Sequence, residues 1–196
     1  CLPSLPQEPL ADPAAALQAR RIELQPLLRA QTFGEPLHLS SREGSDEVEG
    51  DVHAEVGHPF ADVAATFKSA SSVCELLFLH LNVRSCRPSA PDGLTVVVGP
   101  KRAGGPGLRV EMRYTLRTEV ADAAHLRVAL TAAQGPLSTS DYRMVFEAVP
   151  IDAGRSFVHF GYAYSYGLMA RLAMQAYLAG AGRTKIGFTV LGTGAD

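Results

Sequence analysis

Four stretches between Gly107 and Tyr166 alternate apolar and polar side chains, and this alternation narrows the fold more than any other feature. In GLRVEMRYTLR, Leu108, Val110, Met112, Tyr114 and Leu116 take every second position, with Arg109, Glu111, Arg113, Thr115 and Arg117 between them. A side-chain period of two belongs to a strand with one face buried. HLRVALTAA (His125 to Ala133) repeats the pattern. LSTSDYRMVFEAV points Tyr142, Met144, Phe146 and Ala148 one way, and RSFVHFGYAYSY follows after the turn IDAG. With the β-rich LTVVV (Leu94 to Val98) before them, these segments read as an antiparallel sheet with one charged face.

The upstream half mixes element types. From Ala14 to Gln25 the composition favours a helix, with Leu17 and Leu24 on one face, until Pro26 interrupts it. PLHLSS (Pro36 to Ser41) is a candidate first strand, GSDEVEGD carries turn chemistry, and DVHAEV (Asp51 to Val56) alternates as a strand. Pro59 then suits a first helical position, and Phe60, Val63, Ala64 and Phe67 line one helical face. Ser72-Val73-Cys74-Glu75 fits a capping box that opens a second helix through CELLFLHL. After Gly167 an amphipathic helix carries Met169, Leu172, Ala173, Ala176 and Tyr177 on one side and ends at Gly180 and Gly182. RTKIGFTVLGTGAD is strand-like. The expected organisation is a proline-rich tether with a short helix over 1–35 and one domain over 36–196.

Bulk properties exclude some classes of function. The 196 residues suffice for one sizeable core, and a net charge of -2 gives no electrostatic footprint for nucleic acid. No apolar run approaches the ~20 residues of a membrane-spanning helix. Cys74 and Cys86, twelve positions apart, are spaced for a disulfide that requires an oxidising compartment; two unpaired buried thiols are the alternative. Cys1 precedes Pro3, Pro6, Pro9 and Pro13, and a leading cysteine before such a tether resembles the mature N-terminus of a bacterial lipoprotein. That resemblance implies lipid on Cys1 and a place in the periplasm or at the cell surface; a trimming point is the alternative.

Several chemical motifs fail on inspection. Ala163-Tyr164-Ser165-Tyr166-Gly167 looks like a variant nucleophile elbow, yet no histidine follows Ser165 and the sheet is antiparallel in character. The histidines (His38, His53, His58, His80, His125 and His159) show no paired metal-ligand spacing, so no metal is expected. GPKRAGGPG lacks phosphate-loop spacing and reads as a hairpin loop. No cofactor is expected either.

What remains is a ladder of tyrosines. Ser156, Val158, Phe160, Tyr162, Tyr164 and Tyr166 share one face of their strand. Three successive phenols suit a surface apolar in body and polar at points, such as a ligand pocket, because a buried hydroxyl wants a partner. A half-exposed outer face is the other placement open to them.

The order strand, helix, helix, antiparallel strands, helix, together with DVHAEVGHPFADV and GRSFVHFGYAYSYG, resembles the START/polyketide-cyclase-like superfamily. The resemblance implies an α+β helix-grip fold, a curved antiparallel sheet wrapped around the C-terminal amphipathic helix, with two short helices after the first strand. It also implies binding or transport of a hydrophobic small molecule, lipid or sterol-like, in an internal cavity. A cyclase-type enzyme using the same cavity and a filled-core scaffold are the alternatives; His159, Glu147 and Arg143 would be the titratable candidates, though alternation sets them opposite Tyr162 or Phe146. The expected ligand contacts are Phe160, Tyr162, Tyr164 and Tyr166, then Met112, Tyr114, Tyr142, Met144 and Phe146 on the preceding strands, and Met169, Leu172 and Tyr177 on the final helix.

Overall fold

The computed structural model describes residues 12–30, 34–89, 92–99 and 109–167, together with 171–172, 175 and 179–180. Eight strands form one antiparallel sheet in the order β1-β2-β8-β7-β6-β5-β4-β3. The strands are β1 (Leu37–Glu43), β2 (Glu47–Val56), β3 (Val83–Ser89), β4 (Gly93–Val98), β5 (Val110–Ala121), β6 (Leu126–Gln134), β7 (Thr139–Pro150) and β8 (Ser156–Tyr166). Helices α1 (Pro13–Arg29), α2 (Phe60–Lys68) and α3 (Ala70–Phe78) complete the described elements.

Alternation decides which side chains meet. Phe146 of β7 is paired with Phe160 of β8, and Met144 with Tyr162. The same β8 residues meet Val52 and Gly50 of β2 on their other side. These inward residues join Leu94, Val96, Met112, Leu126, Val128 and Leu130 in the main core. Helices α2 and α3 close one part of that face, with Val63, Ala64, Val73 and Cys74 buried and Phe67 stacked on Phe146.

Three local expectations change. The first helix continues through Pro26 to Arg29 instead of stopping at Gln25. Proline removes one backbone hydrogen bond there, but the added turn buries Leu28 beside Leu17, Leu24, Val149 and Phe157 on the opposite face of the sheet. Burying such a leucine is worth about 1.5–3 kcal/mol, enough to offset much of the proline penalty. Gln18 adds a hydrogen bond from its amide to the Pro150 carbonyl at 2.7 Å. The second change concerns α3, which is capped by Ser69, whose hydroxyl accepts from the Ser72 amide, and not by Ser72. Third, most of the stretch read as turn chemistry is strand: Glu47 and Glu49 lie in β2, where their carboxylates pair with Arg143 and Arg42.

Residues 171–172, 175 and 179 are helical, in the segment where the final helix was expected. Cys1, the proline-rich start and residues 181–196 lie outside the described residues, as do Met169, Ala173, Ala176 and Tyr177.

Candidate ligand-binding cavity

The inward face does not fill with side chains everywhere. A cavity of about 920 Å³ opens between β4, β5, β7, β8, the β1–β2 hairpin and the chain from Leu77 to Val83. Six of the expected residues line it: Met112, Tyr114, Tyr142, Met144, Phe160 and Tyr162. Val96 and Val98 extend the apolar wall, Leu39, Ser41, Gly50 and Val52 stand on the hairpin side, and Pro136 contributes from the β6–β7 turn.

The other expected residues fall elsewhere. Phe146 is buried under Phe67. Tyr164 stacks on Tyr142, with centroids 5.3 Å apart and planes 11° apart. The Tyr166 hydroxyl donates to the Gly44 carbonyl at 3.0 Å and so ties the end of β8 to the β1–β2 turn. Leu172 is half exposed and is not among the lining residues. Met169 and Tyr177 lie outside the described residues.

The phenols differ in what their hydroxyls do. Thr139 donates to the Pro136 carbonyl at 2.5 Å, which leaves its oxygen to accept from the Tyr142 hydroxyl at 2.6 Å. Tyr114 reaches only the Met112 sulfur, at 3.7 Å, a weak partner. Tyr162 makes no hydrogen bond among the described residues, although it lines the cavity. Burial raises the pKa of both Tyr114 and Tyr162, so the two phenols stay neutral. Together with Ser41, His80 and Asn82 they put polar points on a mostly apolar wall.

Charged chemistry sits on the other face of the sheet. His159 is held between Asp51, with Nε2 to Oδ1 at 2.8 Å, and Glu147, with Nδ1 to Oε2 at 3.2 Å. Burial opposes its charge, but the hydrogen bonds to Glu147 and Asp51 outweigh it and raise its pKa. Burial also pushes Glu147 up, yet hydrogen bonds from His159 and Arg127 hold it down at about 2. His53 stacks on His159 with centroids 4.4 Å apart, and its buried Nδ1 has no partner among the described residues. Burial, then the neighbouring His159, lowers its pKa to about 4. No group of three or more metal-ligating side chains occurs among the described residues. Ser165 pairs with Glu47 and Ser140 on this same outer face.

Sequence reasoning missed the lining residues on β1, β2 and β4, such as Leu39, Val52, Val96 and Val98, and also Leu77, His80, Asn82 and Val83. Leu77, His80, Asn82 and Val83 fall between Cys74 and Cys86, which form a disulfide with Cα atoms 5.1 Å apart. The cysteine spacing was the available signal: it requires the end of α3 and the start of β3 to lie together.

The curved antiparallel sheet, the helices over its inner face and the cavity between them decide the architecture. This is the α+β helix-grip fold. Solved structures similar to the chain include a START superfamily protein from Mycobacterium smegmatis, at 14% identity and a TM-score of 0.44 over 71% of this chain and 93% of that one. A STAR-related lipid transfer protein fragment from Xanthomonas axonopodis has 12% identity and a TM-score of 0.47, covering 71% and 84% of the two chains. Norcoclaurine synthase from Thalictrum flavum has 13% identity and a TM-score of 0.44, covering 72% and 87%. No protein-family model and no curated protein matches the chain. The likeness is one of fold.

Proposed function

We propose that this helix-grip protein binds a hydrophobic small molecule, lipid or sterol-like, in the cavity on the inner face of its sheet. One observation carries the reading: a cavity of about 920 Å³ whose wall is built mainly from residues such as Val96, Val98, Met112, Met144 and Phe160, with polar groups at Tyr114, Tyr162, His80 and Asn82. Ligand sites have this character, apolar over most of their area with a few polar groups that orient the guest.

The polar points select the guest further. Tyr114 and Tyr162 are neutral, and their hydroxyls lack a strong partner among the described residues, so an uncharged amphiphile with a hydroxyl or carbonyl group suits them. The disulfide supports an oxidising compartment, the periplasm or the cell surface, for this activity. No described helix is long and apolar enough to cross a membrane.

A titration with NBD-cholesterol and NBD-phosphatidylcholine tests the reading. Saturable binding of at least one probe, competed by its unlabelled parent and weakened by Val98→Trp, is the expected result. Absence of saturable binding by both probes, or binding untouched by Val98→Trp in a folded variant, contradicts it.

A further inference from the structure

Between Cys74 and Cys86 the chain has two opposite characters. Leu77, His80, Asn82 and Val83 line the cavity. Leu76, Phe78, Leu79 and Leu81 point away from it and are 40–76% exposed. Little apolar burial therefore holds this segment against the body: in α3 only Val73 and Cys74 are buried. The strand that receives it, β3, lies at the edge of the described sheet and pairs with β4 alone among the described residues, and its residues after Val83 are exposed or half-buried. Segments with few buried contacts and one-sided pairing open locally at low cost. Against that weak hold stands one covalent clasp, the disulfide joining buried Cys74 of α3 to half-buried Cys86 of β3.

We infer that the Cys74–Cys86 disulfide is the clasp of the cavity mouth, and that its oxidation state sets how fast a bound molecule enters and leaves. The inference rests on the ligand-binding reading above. A dithiol reductant opens the clasp by thiol–disulfide exchange: one thiolate attacks the half-buried Cys86 sulfur and the Cys74 thiolate leaves. The second thiol of the reductant then resolves the mixed disulfide. Cys74 and Cys86 each end as thiols, having gained two electrons and two protons between them, and the reductant ends as a disulfide. Once the disulfide is open, α3 and β3 keep the apolar contacts of Val73, Cys74, Leu77 and Val83 and the ladder between β3 and β4. Opening then becomes more frequent, and entry and exit accelerate together. Because the same opening serves both directions, affinity changes far less than either rate.

The closure spans 12 positions. Released in full, a loop of that size is worth on the order of a hundredfold in an opening equilibrium, so exit faster by about tenfold or more is expected. Hydrogen exchange is measured on the oxidised protein, the dithiothreitol-reduced protein and the Cys74→Ala/Cys86→Ala variant. Release of NBD-cholesterol and NBD-phosphatidylcholine into unlabelled vesicles is timed on the same samples. The expected result is faster exchange at residues 76–83 with β6 to β8 still protected, and faster release with a nearly constant Kd, in both the reduced protein and the variant. Equal exchange at 76–83 in all three overturns the inference, whatever the probes do. Loss of protection that spreads into β6 to β8 also overturns it, since the disulfide is then a staple of the whole fold. Faster local exchange with no binding of either probe in any sample contradicts the ligand-binding reading instead, and removes the clasp's purpose with it.

Discussion

Tyr142 and Tyr164 stack face to face on neighbouring strands, with ring centroids 5.3 Å apart and an interplanar angle of 11°. Tyr142 itself lines the cavity, so the stack seats Tyr164 beside that wall and not on it. The tyrosines of β8 therefore divide in role although they share one face: Tyr162 lines the cavity, Tyr164 supports Tyr142, and Tyr166 fastens the β1–β2 turn.

That division predicts opposite outcomes for two conservative changes. Tyr162→Phe removes a hydroxyl with no partner among the described residues, so the melting temperature should hold. Affinity for a hydroxyl-bearing ligand should fall by about 0.5–1.5 kcal/mol, roughly twofold to tenfold. Tyr166→Phe loses the bond to the Gly44 carbonyl and should lower the melting temperature while leaving affinity unchanged. Thermal melts and probe titrations on both variants check the pair.

Gly135 has no room for a side chain, because a Cβ there would overlap the ring of Tyr142. Gly135→Ala should force that ring out of place and cost about 1–3 kcal/mol, the usual penalty of overpacking. Chemical denaturation measures it. A second variant, Gly135→Ala/Tyr142→Leu, should recover part of the loss if the overlap is the cause.

Helix α1 should behave as part of the folded unit. Leu28 is 2% exposed and packs with Val149 and Phe157 beneath the sheet. Leu28→Ala should destabilise the whole protein by about 2–5 kcal/mol in a single transition. A separate early transition for α1, with the sheet unaffected, would show that the helix is only appended.

Acid should weaken the protein through His53 before it reaches the carboxylates. The folded pKa of His53 is about 4, below its ordinary 6.5. Its depressed value means that the stability it contributes is present above pH 6.5 and is lost as pH falls towards 4. Glu147, held at about 2 against an ordinary 4.5, loses its contribution in the lower window between those values. His159 works in the other direction, since its pKa is raised: its contribution is full below pH 6.5 and is lost as pH rises through the folded value. Melting temperatures of wild type and His53→Phe across this range test the assignment. The variant keeps a ring for Phe157 and His159 to pack on, and should lose the decline between pH 6.5 and 4.

The sheet and one wall of its cavity could be read from the sequence because a strand's period of two reports burial residue by residue. Met112, Tyr114, Met144, Phe160 and Tyr162 were reached that way. The same period could not say where along β8 the cavity ends, since that depends on Tyr142 covering Tyr164. It also could not place β2 against β8, a pairing between residues 47–56 and 156–165 that no local pattern encodes. Pro26 misled because proline's local penalty was visible while the seat of Leu28 on Val149 and Phe157 was not. Leu77, Asn82 and Val83 belong to the cavity through a chain reversal and a disulfide, which the cysteine spacing signalled without saying that the enclosed residues face a cavity.

Mass spectrometry of an organic extract of the purified protein, made from its native host, tests the central claim most directly. The proposed function predicts an uncharged amphiphile recovered at near one equivalent, and its loss from a Val98→Trp variant that melts like wild type. An extract with no stoichiometric hydrophobic molecule, from protein that also fails to take up lipid or sterol when these are supplied, would contradict it.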